Sequence, residues 1–240
     1  MAAQKNELKL FKHGFLLKSN CFVDMKNRVG KKREKRKETS GMRRKHSEVS
    51  DPARITAILA AATIGRLATV GADGTPYITP VNYVFFEGNI FFHCAPAGEK
   101  LDNIAREPRV CFEVDIPLAY LDVGFYPDRG SCNLHQLYHC VIIRGTAAVV
   151  PDGPRKVAAL NALVAHHEPG GDFVPVTADL PACRACTVVE VTPASITAKS
   201  DLLQNKPEAQ RLAIARHLKQ RGRPGDRRAV AALGFDPDRI

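Results

Sequence analysis

Tryptophan is absent from the 240 residues, and methionine occurs three times. No apolar run approaches the ~18 residues that a membrane-spanning helix requires. Phe11 to Phe22 is too broken by Lys and Asn to form the apolar centre of a signal peptide. The chain has no G-x-G-x-x-G fingerprint, no G-x-S-x-G elbow and no H-E-x-x-H pair, so the dinucleotide-fold, hydrolase and zincin readings lose their motifs. No repeat or low-complexity block appears. These absences point to a cytoplasmic protein with one ordinary domain, long enough to bury a full core.

Acidic residues are scarce only at one end. Residues 1–50 hold 15 Lys and Arg against 5 Asp and Glu, whereas the remainder balances at 20 against 20. The net charge of +10 therefore belongs to a tail around Lys31-Lys32-Arg33-Glu34-Lys35-Arg36-Lys37 and is weak evidence for nucleic acid as the domain's ligand. With almost no apolar periodicity, residues 1–41 are expected to be a basic, disordered extension or upstream translated sequence; an organellar address or nucleic-acid tail is the alternative. Met42 opens what looks like an independent start. The seven cysteines are odd in number and lie within apolar runs such as Phe92-His93-Cys94, which favours reduced thiols over a disulfide framework.

Asp51-Pro52 is an N-cap followed by proline at the first helical position, and Ile55, Ile58, Leu59 and Ala62 recur at helical spacing. From Ile64 the period shortens. Ile64–Val70, Tyr77–Phe85 and Ile90–His93 read as strands joined by turns at Asp73-Gly74 and Glu87-Gly88-Asn89. A short helix carrying Leu101, Ile104 and Ala105 ends before Pro108. A fourth strand, Arg109–Asp115, is followed by a long irregular stretch, Ile116 to Leu137, expected to be a lid or binding element. Tyr138–Val150, a helix ending near His166, a strand Thr187–Ala198 and a basic helix from about Pro207 to Gln220 complete the pattern. It predicts a mainly β fold with peripheral helices, a six-stranded antiparallel barrel spanning 42–200 and a helical extension over 201–240.

Several landmarks then stand in a telling order: Gly65-Arg66-Leu67-Ala68-Thr69-Val70, Asp73-Gly74-x-Pro76-Tyr77, Pro80-Val81-Asn82-Tyr83, Phe92-His93-Cys94-Ala95 with Gly98-x-Lys100-Leu101-x-Asn103, Arg109 to Glu113, and Tyr138 to Gly145. In this order the segment resembles the pyridoxamine 5'-phosphate oxidase-like FMN-binding superfamily, in its nitroimidazole-resistance branch. The resemblance implies a split β-barrel that forms a homodimer with two FMN sites at the subunit interface.

Carried over residue by residue, the resemblance assigns FMN binding to Arg66, Thr69, Pro80, Val81, Asn82, Phe92, His93, Lys100 and Asn103. The chemistry agrees in part. A phosphate dianion calls for fixed cations and helix N-terminal N–H groups, which Arg66, Lys100 and the helix start near Gly98 would supply. The flavin ring needs an apolar slot edged by polar groups, for which Thr69, Pro80, Val81 and Asn82 are suited. Taken alone, Arg66 and Lys100 read equally well as solvated charges, and Asn82 as a turn residue. His93 is either a satisfied core histidine or, as the branch implies, a pocket residue able to donate a proton.

Departures from the vitamin-forming oxidase itself are informative. Glu99-Lys100 replaces an Arg-Lys pair, Gly71 stands where a substrate-binding lysine is expected, and the Trp of the C-terminal strand is missing. Pyridoxamine phosphate is therefore not the expected substrate. The expected activity passes electrons from NADH or NADPH through FMN to a small acceptor such as a nitroaromatic compound, with neither membrane nor nucleic acid as partner. A non-catalytic flavin- or haem-binding barrel is the alternative. Cys183-x-x-Cys186 near His166-His167 is open to zinc, a redox disulfide or plain thiols, and Cys132, His135, His139 and Cys140 form another loose group of possible zinc ligands; no metal is assigned.

Overall fold

The computed structural model describes residues 42–126 and 133–240. The predicted N-terminal extension and Cys132 lie outside them. A 3-10 turn, Lys45–Ser47, leads into β1 (Glu48–Val49) and α1 (Pro52–Ala61), whose first turn is capped by the Asp51 carboxylate accepting from the Ala53 N–H at 3.0 Å. There follow β2 (Ile64–Val70), β3 (Pro76–Asn82), β4 (Val84–Phe86), β5 (Asn89–Cys94) and α2 (Glu99–Arg106). Two long strands come next, β6 (Arg109–Leu121) and β7 (His135–Val150). The chain ends with α3 (Pro154–His167), α4 (Pro181–Ala185), β8 (Thr187–Asp201), α5 (Glu208–Arg221) and α6 (Asp226–Ala232).

All pairings are antiparallel, in the order β3-β2-β6-β7-β8-β5-β4, with β1 added beside the far half of β8. This order alone forces curvature. β3 and β4 stand at opposite ends of the path, yet only Tyr83 separates them in the chain, so the sheet must roll until its ends meet. The strand expected to run unbroken from Tyr77 to Phe85 is thus divided at Tyr83, which is fully buried and donates its hydroxyl to the Leu59 carbonyl at 2.6 Å. That break and the short β1 make eight strands among the described residues, where six were expected.

A second difference concerns the stretch from Ile116 to Leu137. Rather than a long loop, β6 continues to Leu121 and β7 starts at His135, the pair absorbing Pro117 through a register shift between Pro117 and Ala119. β8 likewise runs past Ala198 to Asp201.

Three apolar clusters form among the described residues. Inside the barrel, Leu67, Tyr83, Phe92, Phe112, Val114 and Val141 pack with Ile58 and Leu59 of α1. Outside it, α3 and α4 close over Phe91 of β5 and Val188 of β8. At one end α5 and α6 cover the extensions of β6 and β7 around Leu121 and Leu137. No helix among the described residues is long and apolar enough to cross a membrane.

Candidate functional site

Strand alternation sorts the candidates between the two faces of the curled sheet. On β2, Leu67 and Thr69 are buried, while Ile64, Arg66 and Val70 are exposed. On β3, Val81 is buried, while Ile78, Pro80 and Asn82 are exposed. The register sets Arg66 opposite Pro80, Ile64 opposite Asn82 and Ala68 opposite Ile78. Ile78 is 61% exposed and Ile64 51%, so this outer face carries an apolar strip edged by Arg66 and Asn82.

Arg66 is not idle there. Its Nη1 bonds Glu113 at 3.0 Å and also Asp115, both on β6, and these carboxylates, Asp115 foremost, raise its pKa further. Glu113 in turn accepts from the Cys140 thiol at 3.7 Å; burial first, then Glu113, push that thiol up to about 11. Lys199 stands beside Cys140 in the register and reaches the Tyr138 hydroxyl at 2.5 Å and Asp201 at 3.1 Å. Apart from Arg66, none of this cluster was assigned a role from the sequence, because alternation marks a face but not which distant strands share it.

Lys100 lies in the first turn of α2, half-buried, with no ion pair or side-chain hydrogen bond among the described residues. Gly98 (φ 141°), the N-cap, offers no side-chain cap, so the Glu99 and Lys100 N–H groups have no partner among the described residues. Glu99 and Asp102 share that turn and oppose the positive end of the helix.

Two candidates act behind this surface. Thr69 and Asn103 are each 2% exposed. The Asn103 amide donates to the Thr69 hydroxyl at 3.1 Å, and Arg106 bonds both Asn103 and the Val70 carbonyl. This bracing fixes α2 on β2 and so sets where Lys100 stands. The Phe92 ring is fully buried in the barrel cluster, as an inward position on β5 must be.

His93 falls on the other face. Phe91 and His93 share the outward side of β5, so the imidazole is exposed rather than a core group. It borders a cavity of about 340 Å³ walled by Leu160, Leu163, Val176, Cys183 and Cys186. His166 and His167 turn away from those thiols, toward the Ala62 and Tyr83 carbonyls. No cluster of three or more metal-ligating side chains occurs among the described residues.

Against known proteins, residues 51–200 match the family model described as pyridoxamine 5'-phosphate oxidase. A curated relative, the 5a,11a-dehydrotetracycline/5a,11a-dehydrooxytetracycline reductase of Streptomyces rimosus subsp. rimosus, is 36% identical over 96 residues, 38% of this chain and 58% of that protein. The chain thus matches little more than half that relative's length. Among solved structures, a candidate 5-nitroimidazole antibiotic resistance protein from Bacteroides thetaiotaomicron superposes with TM-score 0.54 at 22% identity, covering 64% of this chain and 86% of the other. A FAD and heme binding protein from Mycobacterium smegmatis gives TM-score 0.57 at 17% identity, covering 70% and 79%. The likeness to these structures is one of fold, and it is that of the split barrel. With the match spanning more than half its length, the chain belongs to the pyridoxamine 5'-phosphate oxidase family.

Proposed function

We propose that this protein is an FMN-dependent oxidoreductase that works as a homodimer, accepting reducing equivalents from NADH or NADPH and passing them to a small acceptor such as a nitroaromatic compound. The observation that carries the reading is the start of α2: a helix N-terminus without a side-chain cap and, one residue in, a half-buried lysine with no ion pair among the described residues. Such a place suits a phosphate, which gains both the Glu99 and Lys100 N–H groups and a charge-assisted hydrogen bond. The apolar strip of Ile64, Ala68 and Ile78 suits a flat ring, and the reductase among the relatives supports the reaction class.

The residues fit FMN with one adjustment. Arg66 already has Nη1 on Glu113 and Asp115, so Lys100 would hold the phosphate and Arg66 would present only Nη2 and Nε. Pro80 and Asn82 would meet the ring edge, and Thr69 and Asn103 would hold α2 in place. His93 would stand at the mouth of its cavity, where an imidazole N–H can reach a reduced acceptor. Bound FMN would supply the hydride chemistry, which needs no nucleophile from the protein.

Lys100→Ala tests the assignment. A charge-assisted hydrogen bond contributes about 1.5–3 kcal/mol, so FMN affinity is expected to fall about 10- to 150-fold by titration, with folding unchanged. Riboflavin lacks the phosphate and should bind the variant as it binds the parent protein. Equal FMN affinity in both proteins would return Lys100 to a solvated helix charge. A non-catalytic flavin or haem carrier is the second reading, favoured by the haem that the mycobacterial structural relative binds. The visible spectrum of the purified protein and its turnover with NADH or NADPH separate the two.

A further inference from the structure

We propose that Cys183 and Cys186 are a redox pair that hydroperoxides entering the cavity beside His93 convert to a reversible intramolecular disulfide. Both thiols are reduced in the structure and both line that cavity, so a small oxidant has a route to them. They are one helical turn apart at the end of α4, where the Cys186 N–H bonds the Ala182 carbonyl, and the Cys186 thiol points back to the Cys183 carbonyl at 3.5 Å. This spacing brings two sulfurs to one side of the chain.

Facing them is a group the flavin reading leaves unused. Lys156 of α3 is 3% exposed, an unusual place for an ammonium. It donates to Asp152 and to the Cys186 carbonyl, each at 2.7 Å. Its pKa is raised, first by the Asp152 hydrogen bond, with Cys186 and Cys183 both within electrostatic reach. The fixed positive charge therefore stands within electrostatic reach of any negative charge that develops on Cys186, the more accessible of the two residues.

The Cys186 sulfur attacks the terminal peroxide oxygen and the O–O bond breaks. The leaving alkoxide takes up the thiol proton, so Cys186 becomes a sulfenic acid and the hydroperoxide an alcohol. The Cys183 sulfur then attacks the sulfenyl sulfur, the S–O bond breaks, and water leaves with the Cys183 proton. Two thiols and one hydroperoxide give one disulfide, one alcohol and one water. Cys94 is the competing thiol, but it lies on the barrel side of β5 and burial pushes its pKa up.

The full chain would be treated with one equivalent of hydrogen peroxide or cumene hydroperoxide, blocked with N-ethylmaleimide and mapped by mass spectrometry. Expected are the loss of two free thiols, a peptide linked through Cys183 and Cys186, and recovery of both thiols with dithiothreitol. Cys183→Ser should stop at a sulfenic acid on Cys186 that dimedone traps, whereas Cys186→Ser should leave Cys183 unmodified. Lys156→Met should slow the reaction and Lys156→Arg restore it; if Lys156→Met does not fold, the two serine variants decide. A disulfide through Cys94, or thiols at 183 and 186 that survive while Cys111 oxidises, would overturn the proposal.

Discussion

Gly65 and Gly145 occupy positions where a single added carbon would collide, each with a different kind of neighbour. A Cβ at Gly65 would sit 2.0 Å from the tip of the fully buried Phe112 ring, whereas at Gly145 it would sit 2.0 Å from the Thr192 carbonyl oxygen and 2.9 Å from its carbon. A ring can be trimmed; backbone cannot. Gly65→Ala and Gly145→Ala are each expected to cost about 1–3 kcal/mol or more in chemical denaturation. Phe112→Leu should recover part of the loss at Gly65, and the same test at Gly145 should recover nothing. Equal costs with no coupling to Phe112 would mean that the barrel relaxes around both positions. The same reasoning explains why Gly65 opens the first landmark: β2 and β6 meet there through a ring that leaves no room for a side chain.

Strands β7 and β8 are held by more than their backbone ladder. His139 pairs with Ser200 in the register, and its Nδ1 lies 2.7 Å from the Ser200 hydroxyl. Burial first, and then Arg54 of α1, lower the pKa of this imidazole below its ordinary value. The unfolded chain therefore binds the proton more readily than the folded one. His139 contributes its full share of stability above the unfolded value of about 6.5, and that share is lost as pH falls from there through the lower folded value. Melting temperature is expected to drop as pH is lowered through this window, and His139→Asn should flatten the drop while leaving the profile above neutrality unchanged. An unaltered slope would assign the acid sensitivity to another group, with the Asp201 cluster of Arg44, His135 and Lys199 next in line.

For the whole molecule, the outer face of β2 and β3 is the feature a single chain leaves unfinished. Ile64 and Ile78 stand more than half exposed beside the Arg66 ion pairs. A two-fold contact across this face would cover the strip and complete a flavin slot from both copies, as the proposed function requires. Light scattering with FMN present is expected to give a dimer, and Ile78→Glu should shift it to monomer and weaken FMN with it. A monomer in the parent protein would remove the two-subunit site.

Much of this was legible from neighbouring residues. The inward and outward positions of β2, the Asp51 cap of α1, the turn at Asp73-Gly74 and the amphipathic α2 all follow from spacing within a few residues. The family landmarks at 65–70, 73–77 and 98–103 lie on those same segments. The continuation of β6 through Pro117 was not legible, because proline and broken alternation look like a loop until a bulge in a paired strand accommodates them. Nor were the carboxylates on Arg66 legible, since Glu113 and Asp115 are 47 and 49 residues away. By itself the sequence determined most of the strands and helices and the alternation of their side chains, since these are properties of adjacent residues. Only the tertiary structure decided that Phe92 is core, that His93 faces a cavity with two thiols, and that Lys100 has no ion-pair partner among the described residues. Those outcomes depend on how the sheet closes on itself through Tyr83, and closure joins residues that no local period connects.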